Sequence, residues 1–327
     1  MRRILVTGAL GQIGSELVPA LRERYGNENV VASDIRMPTG QDGADGPFEY
    51  VDCQRLHQIE VVLRRYDIDT IYHLAAVLSA VAETKPMVAW DVNMGSVYQV
   101  VEAARQHGCA VFHPSSIGAF GPTTPRDHTP QDTIQRPTTM YGITKVAAEL
   151  LCDYYASRFR VDTRGVRLPG LVSYVAPPGG GTTDYAVAIF HEAVRHRHYT
   201  CYLRADSTLD FMYMPDAVRA MIEIMEADPG RLTHRNAYNI TAMSATPASL
   251  TAAIRKYIPD FVIDYDIDPA RQAIADSWPN SLDDSLARLD WDWAPRFDLD
   301  AMTADMLENI ARRTKTARWG GGGRYAD

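Results

Sequence analysis

"ILVTGALGQIGSELVPAL", residues 4 to 21, joins a short apolar run to a glycine-punctuated turn and then to helical spacing. Ile4 to Thr7 read as a buried strand, and Ile13, Leu17 and Leu21 recur every fourth residue along one helix face. Between them Gly8, Gly11 and Gly14 permit a tight turn, close approach of a phosphate to the backbone, and packing of helix on strand. The helix start adds unpaired N–H groups and a positive dipole end, both suited to an anion. The spacing is G-x-x-G-x-x-G, not the commoner G-x-G-x-x-G, so its place between strand and helix carries the reading.

The alternation continues outward. Strand patterns fall at 29–34, 70–76, 110–116 and 161–172, with helical patterns at 55–67, 92–108 and 141–159. Strands and helices at this pitch imply right-handed crossovers and a parallel sheet covered on both faces, an α/β doubly wound (Rossmann) fold. The expected division is a dinucleotide-binding domain over 1–170, with a returning segment near 205–230. A smaller substrate-binding domain follows over 171–312, and 313–327 reads as a mobile tail. Past 170 the rhythm loosens into a proline- and glycine-rich loop at 176–185, then a strand end and a helix at 210–228 with Asp216 expected as its cap.

Bulk properties narrow the class. The chain has 327 residues, 46% hydrophobic and 23% charged, which is ordinary globular composition with room for one large or two unequal domains. A net charge of -8 argues against a nucleic-acid partner or an anionic membrane surface. No apolar run nears the roughly 20 residues that span a bilayer, and the first strand is legible by residue 4, so no leader peptide is expected. Cys53, Cys109, Cys152 and Cys201 are scattered, as reduced thiols of a cytoplasmic protein would be. No metal site is expected, since His191, His196 and His198 read as a polar helix end.

The chemistry-bearing residues gather at the carboxyl ends of strands. Asp34 closes the second strand, where a carboxylate accepts the adenosine ribose hydroxyls and repels a 2′-phosphate, favouring NAD over NADP. Arg36 works against that preference, because a guanidinium pairs with such a phosphate. Asp52 suits the adenine edge or, equally, the cap of the helix after it. In "MYGITKVAAELL", residues 140 to 151, Tyr141 and Lys145 lie one turn apart on a helix that should bury Val146, Leu150 and Leu151. A free phenol ionises near about pH 10. A neighbouring Lys145 cation and a positive nicotinamide both favour phenolate, making Tyr141 a usable base. "HPSSIGAFG", residues 113 to 121, brings a serine hydroxyl to the same sheet edge.

Together "TGALGQIG", Asp34, "HLAA", Asn93, "PSSIGAFG", "YGITK" and "RLPG" resemble the extended short-chain dehydrogenase/reductase family across roughly residues 1 to 312. The resemblance implies Ser116, Tyr141 and Lys145 as catalytic residues, with Ser115 the second candidate for the serine. It implies NAD as cofactor, held by Gly8, Gly11, Gln12, Ile13, Gly14, Asp34, Asp52, Cys53, Leu74, Ala75, Ala76, Asn93, Tyr141, Lys145 and Leu168. Asn93 would support the lysine, though a helix cap is its other reading. Within the family the chain looks most like the metal-independent branch that oxidises the β-hydroxyl of L-threonine to 2-amino-3-oxobutyrate. That likeness implies Ser79, Ser116, Tyr141, Thr182, Thr183 and Trp278 as substrate contacts, in a loop whose glycines allow close approach and closure.

A nucleotide-sugar epimerase or dehydratase uses the same scaffold and the same trio, but must hold a diphosphate; here the loop after 168–170 is neutral and Arg204 is a lone candidate. A non-catalytic NAD-binding protein has no need to keep Ser116, Tyr141 and Lys145 together. The helices at 92–108 and 141–159 carry apolar residues on more than one face, which suits a homodimer paired through four helices, usual in the resembling family.

Overall fold

The computed structural model describes residues 1–38, 45–176 and 179–320. The first half of the chain runs β1 (Ile4–Thr7), α1 (Gly14–Tyr25), β2 (Val30–Asp34), β3 (Phe48–Tyr50), α2 (Leu56–Tyr66), β4 (Thr70–His73), α3 (Ser79–Thr84), α4 (Pro86–His107), β5 (Ala110–Phe112), β6 (Ser115–Ser116) and α5 (Met140–Phe159). Then come β7 (Thr163–Arg164), β8 (Val166–Leu168), β9 (Gly170–Val172), α6 (Tyr185–His196), β10 (His198–Cys201), β11 (Leu209–Tyr213) and α7 (Met214–Glu226). The remainder is β12 (Tyr238–Asn239), β13 (Met243–Ala245), α8 (Pro247–Arg255), β14 (Val262–Tyr265), α9 (Pro269–Asp276), α10 (Ser285–Trp291) and α11 (Leu299–Gly320).

Six of these strands form one parallel sheet in the order β3-β2-β1-β4-β5-β7. Ile4 stands opposite Val30 on one side and Thr70 on the other. The chain therefore leaves β1 in one direction and returns past it in the other, which opens a crevice beyond the carboxyl ends of β1 and β4. All of β1 is buried because both faces of the sheet are covered. Leu17 and Leu21 of α1 pack with Met221 and Ile224 of α7 on one face. Val62 of α2, Val101 of α4, and Ala148 and Cys152 of α5 fill the other. A separate core joins Phe190, Leu250, Ile254, Met302 and Met306 to Phe211 and Tyr213 of β11. This is the expected doubly wound α/β architecture.

Several local expectations change. The run 161–172 is not one strand: β7 pairs with β5, β8 with β6 and β12, and β9 with β11. Pro169, which has no N–H for a ladder, separates the last two pieces. Helix α4 begins six residues before position 92, with Pro86 at its first turn, where a proline loses nothing. Asp216 is not a cap; it lies inside α7, pairs with Arg219, and accepts the N–H groups of Arg296 and Phe297. The final helix is continuous to Gly320, and residues 321–327 of the expected tail lie outside the described residues. All four cysteines are buried and unpaired.

The buried face of α5 also differs from the expected one. Leu150 is 63% exposed, whereas Lys145, Ala148, Glu149 and Cys152 face inward. The reason is an ionic lock. The Glu149 carboxylate accepts two bonds from Arg167 on β8 (3.1 and 2.9 Å), one from Gln135 (2.8 Å) and one from the Ser115 hydroxyl. Arg167 in turn donates to Asn239 Oδ1 (3.0 Å) and the Gln131 carbonyl (2.9 Å). Paired and saturated, these charges are tolerated inside, and Trp90, Tyr98, Ile143, Leu150 and Tyr154 are left outward as the second apolar face. Glu149→Ala would leave Arg167 buried without a counter-charge, so we expect a loss of about 3–5 kcal/mol in denaturant unfolding. A change below about 1 kcal/mol would contradict the lock.

Candidate active site

Two adjoining cavities occupy the crevice. One, of about 210 Å³, is lined by Gly8, Gly11, Gln12, Ile13 and Gly14 at one end and by Ser116, Tyr141, Lys145, Thr182, Thr183 and Trp278 at the other. The second, about 440 Å³, holds Asp34, Asp52, Cys53, Ala75 and Ala76, and shares Gly8, Gly11, Leu74 and Ala76 with the first. Ser79 and Leu168 also line the first. The expected contacts thus fall into one continuous cleft, with one exception. Asn93 stands behind the wall: its amide oxygen accepts the Val77 N–H (2.7 Å), and its nitrogen donates to the Val77 carbonyl (3.2 Å) and to Thr144 Oγ1 (3.1 Å). It is neither a helix cap nor a partner of Lys145.

The cleft's glycine end fits a dinucleotide. Gly8 sits at φ +69°, and a Cβ there would come within 2.7 Å of the Ala75 nitrogen, so the turn admits no side chain. The Gln12 side-chain nitrogen is buried with no partner among the described residues, and Gln12 lines the cavity. At the far end the buried Asp34 carboxylate accepts the N–H groups of Leu10 and Arg36 (each 3.1 Å), which leaves lone pairs for a ribose hydroxyl. The Arg36 guanidinium folds onto the same carboxylate, Nε to Oδ1 at 3.1 Å. Asp52 does not cap α2; its oxygen accepts the Gln54 N–H (3.0 Å) in the turn ahead.

At the other end the sequence spacing becomes geometry. Ser116 ends β6, and its hydroxyl accepts the Gly118 N–H (3.1 Å) in a single helical turn, Ile117–Ala119. Thr139 caps α5 through the Gly142 N–H (3.1 Å), which puts Tyr141 in the first turn. Any Cβ on Gly142 would lie 2.2 Å from the Gly118 carbonyl oxygen, and one on Gly118 would touch the Tyr141 ring at 3.1 Å. These two glycines let the serine turn and the helix start meet. Ser115, the alternative serine, is committed to Glu149.

Lys145 donates to the Pro114 carbonyl at 2.7 Å, and its nitrogen lies 5.5 Å from the centroid of the Tyr141 ring. Burial lowers its pKa to about 8, opposed by the Glu149 charge. Burial raises Tyr141 instead, against a hydrogen bond with Ser116 that lowers it. The expected depression of the phenol by the lysine does not appear in the protein alone: desolvation dominates, and what opposes it is the Ser116 hydrogen bond. Beneath the lysine, His73 and His113 stack at 5.5 Å, both held neutral by burial and by the Lys145 charge. Neither stood out in the sequence, although each follows a strand's apolar run.

Among the loop candidates, Ser79 opens α3 and lies 3.3 Å from both the nitrogen and the hydroxyl of Thr182. Trp278 is buried in the cavity wall, with no partner for its indole nitrogen among the described residues. Asp184, not anticipated, turns its carboxylate onto the N–H groups of Gly180 (2.7 Å) and Gly181 (2.8 Å). Its position one residue before an apolar helix was the available signal. Arg204 points elsewhere, to Asp276 at 2.8 Å. Among the described residues no group of histidines, cysteines and carboxylates could hold a metal ion, and no helix is long and apolar enough to cross a membrane.

Residues 4–241 match the NAD dependent epimerase/dehydratase family. The chain belongs to that family. As a member of it, the chain is 53% identical over 316 residues to an uncharacterized epimerase/dehydratase of Staphylococcus saprophyticus, a match covering 96% of this chain and 99% of the relative. It is similar to a solved L-threonine dehydrogenase of Clostridium difficile, at 54% identity and a TM-score of 0.94, covering 96% of this chain and 98% of that one. A GalE-like L-threonine dehydrogenase of Cupriavidus necator in its holo form is 52% identical, with a TM-score of 0.92 and coverage of 94% and 99%. NAD is the cofactor of this family member, and the glycine cradle fits it.

Because Lys145 sits near 8 in the fold against an ordinary 10.5, the unfolded chain holds a proton between those values that the folded one has released. The group therefore adds stability as pH rises through that window. The difference in unfolding free energy, wild type minus Lys145→Met, is expected to grow from about pH 8 to pH 10. A flat or falling difference would show the amine to be solvated.

Proposed function

We propose that this chain oxidises the β-hydroxyl of L-threonine to 2-amino-3-oxobutyrate, with NAD⁺ as the hydride acceptor. What carries the reading is the conjunction of Ser116, Tyr141 and Lys145 with a small, short-hydroxyl cavity end, in a chain similar to solved L-threonine dehydrogenases. Among the described residues that line that cavity, the charged ones are Lys145 and Asp184. A nucleotide sugar would need cations for its diphosphate, and among the described residues no arginine lines the cavity. A zwitterionic amino acid suits it better.

Gly8, Gly11, Gln12, Ile13 and Gly14 would hold the pyrophosphate, and Asp34 the adenosine ribose. When bound, NAD⁺ would supply the acceptor for the hydride that leaves the threonine Cβ. The protein moves the proton. Ser116 Oγ and Tyr141 Oη hold the substrate hydroxyl between them, and Tyr141 Oη takes its proton as the C=O double bond forms. Desolvation alone keeps the phenol protonated, so its ionisation depends on positive charge arriving in the same dry space. The Lys145 ammonium, held in place by Pro114, would supply one such charge below about pH 8, where it keeps its proton. Thr182, Thr183, Ser79 and Trp278 would orient the amino acid, and the loop carrying the threonines would shut out water.

Purified protein should reduce NAD⁺ in the presence of L-threonine, and a UDP-sugar should give neither NADH nor epimer. Tyr141→Phe should bind NAD⁺ normally, read by fluorescence, while losing at least about 10²-fold of its turnover. Turnover of a UDP-sugar without threonine oxidation would replace this reading with the epimerase one. Unimpaired oxidation by Tyr141→Phe would remove the phenol from the chemistry.

A further inference from the structure

The loop that carries Thr182 and Thr183 is fastened at its exit by a phenol that does not itself line the cavity. Tyr202, the residue after β10, donates its hydroxyl proton to the Thr182 carbonyl (3.2 Å) and accepts the Tyr185 N–H (2.8 Å). These two bonds bracket Thr183 and Asp184. Between them Thr183 is pressed against Gly170: a Cβ there would come within 2.9 Å of the threonine methyl carbon. On the opposite side Ser79 meets Thr182. The Tyr202 ring is held as well. The Arg271 guanidinium of α9 stacks 4.4 Å from its centroid, and the same charge acts on the Asp184 carboxylate that folds the loop's glycines. Seven residues beyond Arg271 the chain reaches Trp278 in the cavity wall.

We propose that Tyr202 is a positioning residue for the substrate: its hydroxyl sets the height of the Thr182–Thr183 backbone in the cavity, and Arg271 fixes the ring that carries it. The inference rests on the cavity being the amino-acid end of the cleft. A phenol is suited to the task because one O–H can donate to a carbonyl while accepting an N–H, joining two backbone groups three residues apart through a single rigid arm. Without it the buried Thr182 carbonyl and the first-turn Tyr185 N–H lose their partner, and the loop must be ordered by substrate at the moment of binding.

Tyr202→Phe keeps the ring and its cation contact and removes only the hydroxyl. Expected is a rise of about tenfold in KM for L-threonine, with NAD⁺ affinity measured by fluorescence changed less than about twofold. Arg271→Met should move KM in the same direction and Arg271→Lys should restore part of it. Independently of any substrate, amide hydrogen exchange in 179–186 should quicken in Tyr202→Phe while 4–14 stays as in the wild type. Unchanged exchange in 179–186, an unchanged KM, or equal losses for threonine and NAD⁺ would overturn the proposal. If the wild type does not oxidise threonine at all, the functional reading fails, and the exchange measurement still decides the role of Tyr202.

Discussion

The site depends on the register of α5 against the edge of the sheet, and two buried cations set that register. Lys145 seats its ammonium on the Pro114 carbonyl, and one turn later Glu149 receives the Arg167 guanidinium from β8. Residues 141, 145 and 149 share one helix face, so fixing the second and third also fixes the first. The same carboxylate takes the Ser115 hydroxyl, which holds the strand that ends in Ser116. Serine, tyrosine and lysine are thus placed by one connected set of polar contacts. A helix held only by apolar packing could slide or roll by a fraction of a turn at little cost. Charges that must stay paired out of water cannot.

This arrangement accounts for where sequence reading worked and where it stopped. Periodicity exposed β1, α1, β2, α2 and α5 because each has a regular apolar pattern and clear end signals. It passed over β3 and α3, which span three and six residues and bury little. The period-based reading of α5 was right in part: Val146 and Leu151 are half-buried, with Leu151 packed on the core. But it counted the exposed Leu150 as core and could not see that Glu149 had a buried partner 18 positions away in the sequence. Likewise 161–172 read as one strand because its residues suit strands throughout, whereas its partners belong to three different pairings.

Site residues were legible to the degree that their chemistry is local. The glycine turn and the Tyr141–Lys145 pair are neighbours in sequence, and their geometry follows from helix and turn rules. Asn93 shows the limit. Its type and place suggested support for the lysine or a helix cap, and its amide closes on Val77 and Thr144, partners that nothing in the local sequence indicates. The fastening of the 179–185 loop joins Ser79, Tyr202 and Arg271 from three separate elements, and no local pattern announces such a meeting.

Electrostatically the cleft is poised rather than active. The phenol is raised, the lysine lowered, and both histidines below are neutral, all through loss of water. In the proposed reaction, proton removal would wait for a cation and a substrate hydroxyl to complete the site. The most direct test is a crystal structure of the protein with NAD⁺ and a threonine analogue that cannot be oxidised. The account predicts the analogue's β-oxygen within hydrogen-bond reach of both Ser116 Oγ and Tyr141 Oη, with Lys145 still on the Pro114 carbonyl. A β-oxygen held elsewhere, or a tyrosine hydroxyl turned out of the cleft, would contradict it.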